Sequence, residues 1–557
     1  MLTIESLRVR VMTTRKNPIK WGMLVVFSLL ACAASSCGLF SGQTPVGEVA
    51  FVFGQRADAT TLDPTRSYDA GSVRVCRQIY DGLVRFVPGT TVVQPSLATE
   101  WTTSADGLIW QFRLREDVTF HDDTPFNAEA VVYNVQRQFD SAHPEHHGDF
   151  EYWRYIFGGF KGDVDDNGDP ACVISSVEAV DEYTVRFELA RPVGPFIQSM
   201  AIFAMYMISP TALEEDGEYY GLPGSVPVGT GPFKFVEWVK GDHITLERYD
   251  GYHGVVAKVD KVIFRVIEDH AARYVALQRG DIHAMSTPDL EDLRACESDP
   301  NCQVLLRPAN NTAYINIMTD RAPWDDARVR KALSVAIDKQ AIVDSLYGGL
   351  GMVATQFVPP AVWGHNPGVE DFGYDPDEAR RLLDEAGVEE GFTFDFWYMP
   401  SPRPYYPVPE DIAEAVVSYW ADVGLDAQLN TEEWTTYLEE RAAGSFDIWM
   451  IGWTGDNGDP DNFFCPFVCS PTAGEGNWAT ETAGEAMDLL LQAQALTTPE
   501  EREPLYFRAA ELVHEDVPRL FIAHTHVPLL VSGRVRGYLP HALGESAEYF
   551  NTIDLDE

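Results

Sequence analysis

The sequence predicts an α/β protein of more than one lobe, and three observations carry that expectation. From about residue 311 onward, strand-like and helix-like text alternates: AYINIM, DARVRKALSVAIDKQAIVDSLY, DPDEARRLLDEAG, FTFDFWYM, PEDIAEAVVSYWADVG, LDAQLN, EWTTYLEERAAG and FDIWMIGW. Alternation of this kind packs helices on a sheet. The preceding 260 or so residues read mostly as short strands and turns, and the chain has 557 residues, 45% hydrophobic and 12% aromatic. That is enough to bury about two to four separate cores.

Taken in order, VAFVFGQ is a first strand, TTLDPTRSYD a turn, and VRVCRQIYDGL helix-like. LIWQFRLR alternates with the period of a half-buried strand, and NAEAVVYNVQRQF is a helix capped by Asn127 with Glu129 in its first turn. Short strands follow over residues 173 to 200. GTGPFKFVEWVKGDHITLERY reads as two strands joined by a turn around Lys240 and Gly241, and Val262 to Met285 as strand, helix, strand. In the second unit, the whole of residues 326 to 347 reads as one amphipathic helix, and DPDEARRLLDEAG has an aspartate cap and a glycine stop. AGEAMDLLLQAQAL and PEEREPLYFRAAELVHEDV are two more helices, and RLFIAHTHVPLLV is one apolar run.

The balance of 41 basic against 85 acidic residues gives a formal charge of -44. Nucleic acid and bare anionic surfaces are therefore poor partners. The amino terminus has the layout of an export signal: Arg8, Arg10, Arg15, Lys16 and Lys20 precede the apolar run GMLVVFSLLACAA, which is short for a membrane span. LLAC, ending at Cys32, resembles the bacterial lipobox. Residues 1 to 31 then form a signal peptide, Cys32 carries the lipid, with Cys37 as the alternative, and residues up to 48 form a tether.

Export permits disulfides. Cys296 and Cys302 flank a polar ESDPN loop and suit a local bridge; Cys465 and Cys469 bracket PFV and pair with each other or elsewhere. Neither CxxC nor HExxH occurs, so zinc ligation by these cysteines has little support.

Little in the sequence points to catalysis. DVDDNGD places Asp163, Asp165, Asn167 and Gly168, with Asp169 behind them, as in the front half of a calcium loop, but its twelfth position is Ile174 rather than glutamate. A solvent-facing turn is the expectation. No GxSxG elbow, P-loop or dinucleotide fingerprint is present; His524 and His526 share a side only if one strand runs through both, and nothing supplies a third ligand. Two segments stand out. GWTGDNGDPDNFF, residues 452 to 464, crowds Asp456, Asn457, Asp459, Asp461 and Asn462 behind a strand, and MPSPRPYYP, residues 399 to 407, holds Arg403 between prolines. An aspartate pair could serve a hydrolase, and isolated charges could hold ions of opposite sign.

At length, the chain resembles the extracytoplasmic solute-binding proteins of peptide ABC importers, family 5, and within them the dipeptide type. The likeness runs from about residue 48 to the end and rests on QPSLATEW, DGLIWQFRLREDVTFHDDTPFNAEAVVYNVQR, GTGPFKFVEW, DARVRKALSVAIDKQAIV, YDPDEARRLLDEAG and GWTGDNGDPDNFF, with MPSPRPYYP at a similar distance before the last. The resemblance implies a two-lobed clamp with an extra subdomain in the first lobe. Lobe I would span 49 to 308, with the subdomain at about 81 to 215, lobe II 309 to 525, and 526 to 557 would return to lobe I.

It also implies a binding protein rather than an enzyme, without a cofactor, its partners a short peptide, the permease's membrane subunits and, through the lipid alone, the membrane. Asp456, beside Gly455 and Thr454, would take the ligand's ammonium, Arg403 its carboxylate, and Trp434 would wall a side-chain pocket. Here the sequence departs from the family: the position expected to pair with Cys469 is Ala479, Cys465 is additional, and FVFGQ lacks a cysteine. The alternatives are a binding protein for a longer peptide, haem or a nickel chelate, and a secreted hydrolase using Asp456 and Asp459.

Overall fold

The computed structural model describes residues 48–165, 167–469 and 478–556. The leader with Cys32 and Cys37 lies outside the described residues.

Two sheets organise the chain. The first has seven strands in the order Cys302–Arg307, Val527–Ser532, Ala284–Ser286, Ala50–Gln55, Lys261–Val266, His243–Arg248 and Phe233–Val239. Ala50–Gln55 runs parallel to both its neighbours, and the outer strands pair antiparallel. An antiparallel four-stranded sheet, Ala98–Thr103, Ile109–Leu114, Thr184–Leu189 and Ile174–Asp181, packs into the same apolar core. The second large sheet has six strands in the order Gly351–Val353, Arg519–Thr525, Asn311–Ile317, Ile448–Thr454, Phe392–Trp397 and Leu425–Asn430. Its core is a separate cluster, rich in aromatic rings, that includes Trp420, Trp449, Phe464 and Tyr506.

Among the described residues two chain segments cross between the sheets, and they lie side by side. Arg307 ends one strand and Asn311 begins another; on the way back Thr525 ends a strand and Val527 begins the next. The two crossings are stitched together. Asn311 donates its amide to the Thr525 carbonyl at 2.9 Å and accepts from the Thr525 N–H at 3.0 Å, while His526 Nδ1 lies 3.1 Å from the Arg307 carbonyl. Short paired crossings are what a hinge needs, since a few residues absorb any change of angle.

One expectation is corrected. Residues 326 to 347 form two helices, Ala327–Val335 and Lys339–Leu346, because Asp338 turns its carboxylate onto the Ala341 N–H and caps a new helix start. RLFIAHTHVPLLV, read as one apolar run, is two strands in two sheets. Burial on both faces makes it one apolar run to the eye, and hydropathy does not register a change of sheet. His524 and His526 therefore do not sit on one strand; buried His524 Nδ1 lies 2.9 Å from the Asn311 carbonyl.

Candidate functional site

The site is built on neighbouring strands. Phe392–Trp397 and Ile448–Thr454 run parallel, with Trp397 opposite Trp449. Beyond the carboxyl end of the first lies the loop with Arg403, and beyond that of the second the loop with Asp456. The carboxyl ends of parallel strands are where open α/β sheets leave a crevice. The Arg403 loop also touches the second strand: the ring of Tyr405 lies so close to Gly452 that a Cβ there would stand 2.4 Å from Tyr405 Cδ2.

Of the five polar residues behind the strand, four have structural partners. Asn457 accepts from the Asp459 N–H at 3.0 Å. Asp459 is fully buried and receives both Nη atoms of Arg502, at 2.7 and 2.8 Å, while Arg502 also donates to the Ala493 carbonyl and the Tyr506 hydroxyl. Asp461 accepts from the Gln494 amide at 3.1 Å, and burial, reinforced by the Asp459 charge, pushes its carboxyl up to about 7. Asn462 accepts from the Asp456 N–H at 2.9 Å and donates to the Tyr155 hydroxyl at 3.1 Å. The strand end itself is clamped: Gly455 donates to the Asn310 carbonyl at 2.9 Å and accepts the Asn310 amide at 2.6 Å, while Thr454 is exposed and pairs with Asn311.

Asp456 is different. Its side chain accepts the Tyr155 hydroxyl, at 3.3 Å, and among the described residues it has no ion-pair partner. Burial pushes its carboxyl up to about 6, with the Tyr155 and Asn462 side chains pulling the other way. Tyr155 comes from the helix Glu151–Phe157, in the first-lobe part of the chain, so the two halves meet at this carboxylate. Asn457 Nδ2 reaches Ser199 Oγ of that half at 3.5 Å, and Gly458, at φ +69, leaves room for Thr91, whose Cβ would be 2.5 Å from an added methyl.

That contact yields a prediction. Gly458→Ala is expected to lower stability by about 1–2 kcal/mol through left-handed strain and to weaken ligand affinity by wedging the lobes at Thr91. Urea unfolding and calorimetry read the two effects; unchanged affinity would show that this contact plays no part in closure.

Arg403 is the complementary charge. Its N–H and carbonyl exchange bonds with Tyr406 at 3.0 Å, closing a tight turn, and its guanidinium carbon stands 4.5 Å from the ring centroid of Trp434, the first residue of the helix Trp434–Ala442. Stacking on Trp434 orients the fork while leaving its N–H edges available. Among the described residues Arg403 makes no ion pair. Trp434 thus packs against the arginine itself, a role that the expectation of a pocket wall did not include.

The other candidates are simply placed. Asp163 accepts from the Phe160 N–H at 2.8 Å, and Asp165 accepts from the Asn167 and Asp169 N–H groups at 2.9 and 3.0 Å, so these acidic side chains cap their own exposed turn. Cys296 and Cys302 are joined, as are Cys465 and Cys469, with Cα atoms 5.2 and 4.5 Å apart; Cys76 and Cys172 are free and buried. The short bridge at Cys465 braces the helical turn behind the Asp456 loop. Sequence reasoning missed Tyr155, Asn310 and Arg502. All three lie far from the loop in sequence, and no local pattern announces them.

A two-lobed α/β fold joined by paired crossings, with two loop charges that make no ion pair among the described residues, is the architecture of a periplasmic binding protein. The chain belongs to the bacterial extracellular solute-binding proteins of family 5, whose model, described as "Bacterial extracellular solute-binding proteins, family 5 Middle", matches residues 92–475. It is 36% identical to the dipeptide-binding protein of Escherichia coli over 503 residues, 88% of this chain and 90% of that one. It is 35% identical to heme-binding protein A of Haemophilus influenzae over 500 residues, covering 88% of each. Among solved structures it is similar to HbpA2 from Haemophilus parasuis, with a TM-score of 0.83 and 31% identity over 91% of this chain and all of that one. Proteins of this family are periplasmic substrate-binding components of transporters, not enzymes, and Asp459, held by Arg502, has no free oxygen for the hydrolase alternative. No described helix is long and apolar enough to cross a membrane.

Proposed function

We propose that this protein captures dipeptides between its lobes and presents them to the membrane subunits of an ABC importer, held at the membrane face by a lipid on Cys32, with Cys37 as the alternative. The single observation that carries the reading is a pair of charges that make no ion pair among the described residues: Asp456, half-buried where the lobes meet, and Arg403, stacked on Trp434. An ammonium on Asp456 and a carboxylate on Arg403 match the two ends of a short zwitterion. A third residue would pull one terminal charge off its partner, and a buried unmatched charge is costly. Side chains, met by water in a roomy cleft, would be read loosely.

Isothermal titration calorimetry of ligand-stripped protein with free amino acids, dipeptides and tripeptides tests this. Dipeptides are expected to bind tightest; equal affinity at all three lengths would contradict it. The pH dependence has a definite sign. Ammonium binding needs ionised Asp456, so the bound state has the lower proton affinity, and affinity is lost as pH falls through about 6. From pH 7 to pH 5 the loss should approach about tenfold, and above pH ~8 the peptide's own α-amino group deprotonates, giving a bell-shaped profile. Asp456→Asn should flatten the acidic limb.

A second reading has its own support, the similarity to heme-binding protein A and to HbpA2. Haem added to the stripped protein should then give a saturable Soret shift that dipeptides cannot displace.

A further inference from the structure

Away from the residues just described, the starts of two first-lobe helices bring three metal-ligating side chains together. His270 is the first residue of the helix His270–Arg279, and Asp289 caps the helix Leu290–Glu297, its Oδ1 accepting from the Asp292 N–H at 2.8 Å. The other Asp289 oxygen, Oδ2, is 3.2 Å from His270 Nδ1, and Asp292 Oδ2 is 3.5 Å from the same nitrogen. One ligand atom from each residue lies within 4.8 Å of the other two. Neither the fold nor the peptide site accounts for this meeting.

The second observation is independent of the clustering. Asp292 is 7% exposed, and its Oδ2, turned toward the cluster, has no hydrogen-bond partner beyond the 3.5 Å approach of His270 Nδ1. A buried carboxylate oxygen without a donor is costly. The neighbouring cation does not relieve it: Arg273 directs Nη1 to the Ile267 and Glu268 carbonyls, and Asp269, the remaining acid at this helix start, is engaged in capping Ala272. The side chains of His270 and Asp289 are 54% and 43% exposed, so an ion can enter from solvent.

We propose that His270 Nδ1, Asp289 Oδ2 and Asp292 Oδ2 form a three-ligand site for a divalent d-block cation of the zinc type. Nitrogen and oxygen ligands about 2.0–2.1 Å from a tetrahedral zinc stand about 3.3 Å apart; the two separations from His270 are 3.2 and 3.5 Å, and the two carboxylate oxygens lie within 4.8 Å of each other. An imidazole with two carboxylates suits zinc, cobalt or nickel better than the harder magnesium and calcium, which take oxygen alone. Three protein ligands leave a fourth position for water. Bound there, the ion clips the two helix starts together and stabilises the native state by mass action.

The test uses tag-free full-length protein freed of metal by chelator and dialysis. Titration with zinc chloride is expected to show one ion per chain and a rise in melting temperature that saturates with zinc; magnesium chloride should do neither. His270→Gln and Asp292→Asn should each abolish the zinc response while keeping the wild-type circular dichroism. No uptake by the wild type, or one-to-one uptake unchanged in the variants, would overturn the proposal and leave the cluster as a histidine shared between two carboxylates. If Asp292→Asn does not fold, the exposed His270→Gln decides alone.

Discussion

Arg502→Ala is expected to lower the unfolding free energy by about 3–5 kcal/mol, the scale for breaking one side of a buried ion pair. The guanidinium meets Asp459 with two hydrogen bonds at 2.7 and 2.8 Å, in a place where neither side chain is more than 1% exposed. Removing it leaves the Asp459 charge buried without compensation and strips the Ala493 carbonyl and Tyr506 hydroxyl of a donor. The damage should spread to binding. Asp459 also accepts from the Asp461 N–H, and the same short loop carries Asp456 and the Gly458 contact with Thr91. Urea unfolding measures the first effect and calorimetry the second. Pairing Arg502→Met with Asp459→Leu should recover part of the stability, because the cost lies mainly in the stranded charge. A loss below about 1 kcal/mol in the single variant, the scale of an exposed pair, would mean that the pair is solvated in solution.

The second large effect falls on affinity alone. Arg403→Ala should weaken dipeptide binding by about 2–5 kcal/mol, since it removes one partner of a charge pair buried on closure. Stability should barely change, because Arg403 makes no ion pair among the described residues and its backbone bonds to Tyr406 survive truncation. Arg403→Lys should recover little of the loss: an ammonium cannot offer the planar fork that meets a carboxylate with two bonds, nor does it stack as a guanidinium does on Trp434. A loss smaller than tenfold in dissociation constant would place the carboxylate anchor elsewhere.

Much of this arrangement was legible in the residues themselves. The strand before GWTGDNGDPDNFF and the loop at MPSPRPYYP follow from local rules of turn chemistry, and Phe233–Val239 with His243–Arg248 form the hairpin that the turn at Lys240 and Gly241 predicts. What stayed hidden is long-range. That Asp459 has an ion-pair partner while Asp456 meets only a hydroxyl depends on Arg502, over forty residues on, and on Tyr155, three hundred residues back. Five polar residues in one turn look equivalent until their partners are known. The break at Asp338 was hidden for the opposite reason: one local capping bond outcompeted a helical pattern that continues through it. Hydropathy alone does not mark the change of sheet at His526, because both strands are largely buried; the lobe boundary expected there comes from the family resemblance.

The central claim is that Asp456 and Arg403 each read one end of the ligand, and a chemical cycle tests it directly. A dipeptide and its des-amino analogue, which lacks only the ammonium, are titrated into wild type and Asp456→Asn. The account predicts that wild type strongly prefers the dipeptide and that the variant loses most of this preference while still requiring the ligand's carboxylate. A variant that discriminates between the two ligands as well as wild type does would contradict it.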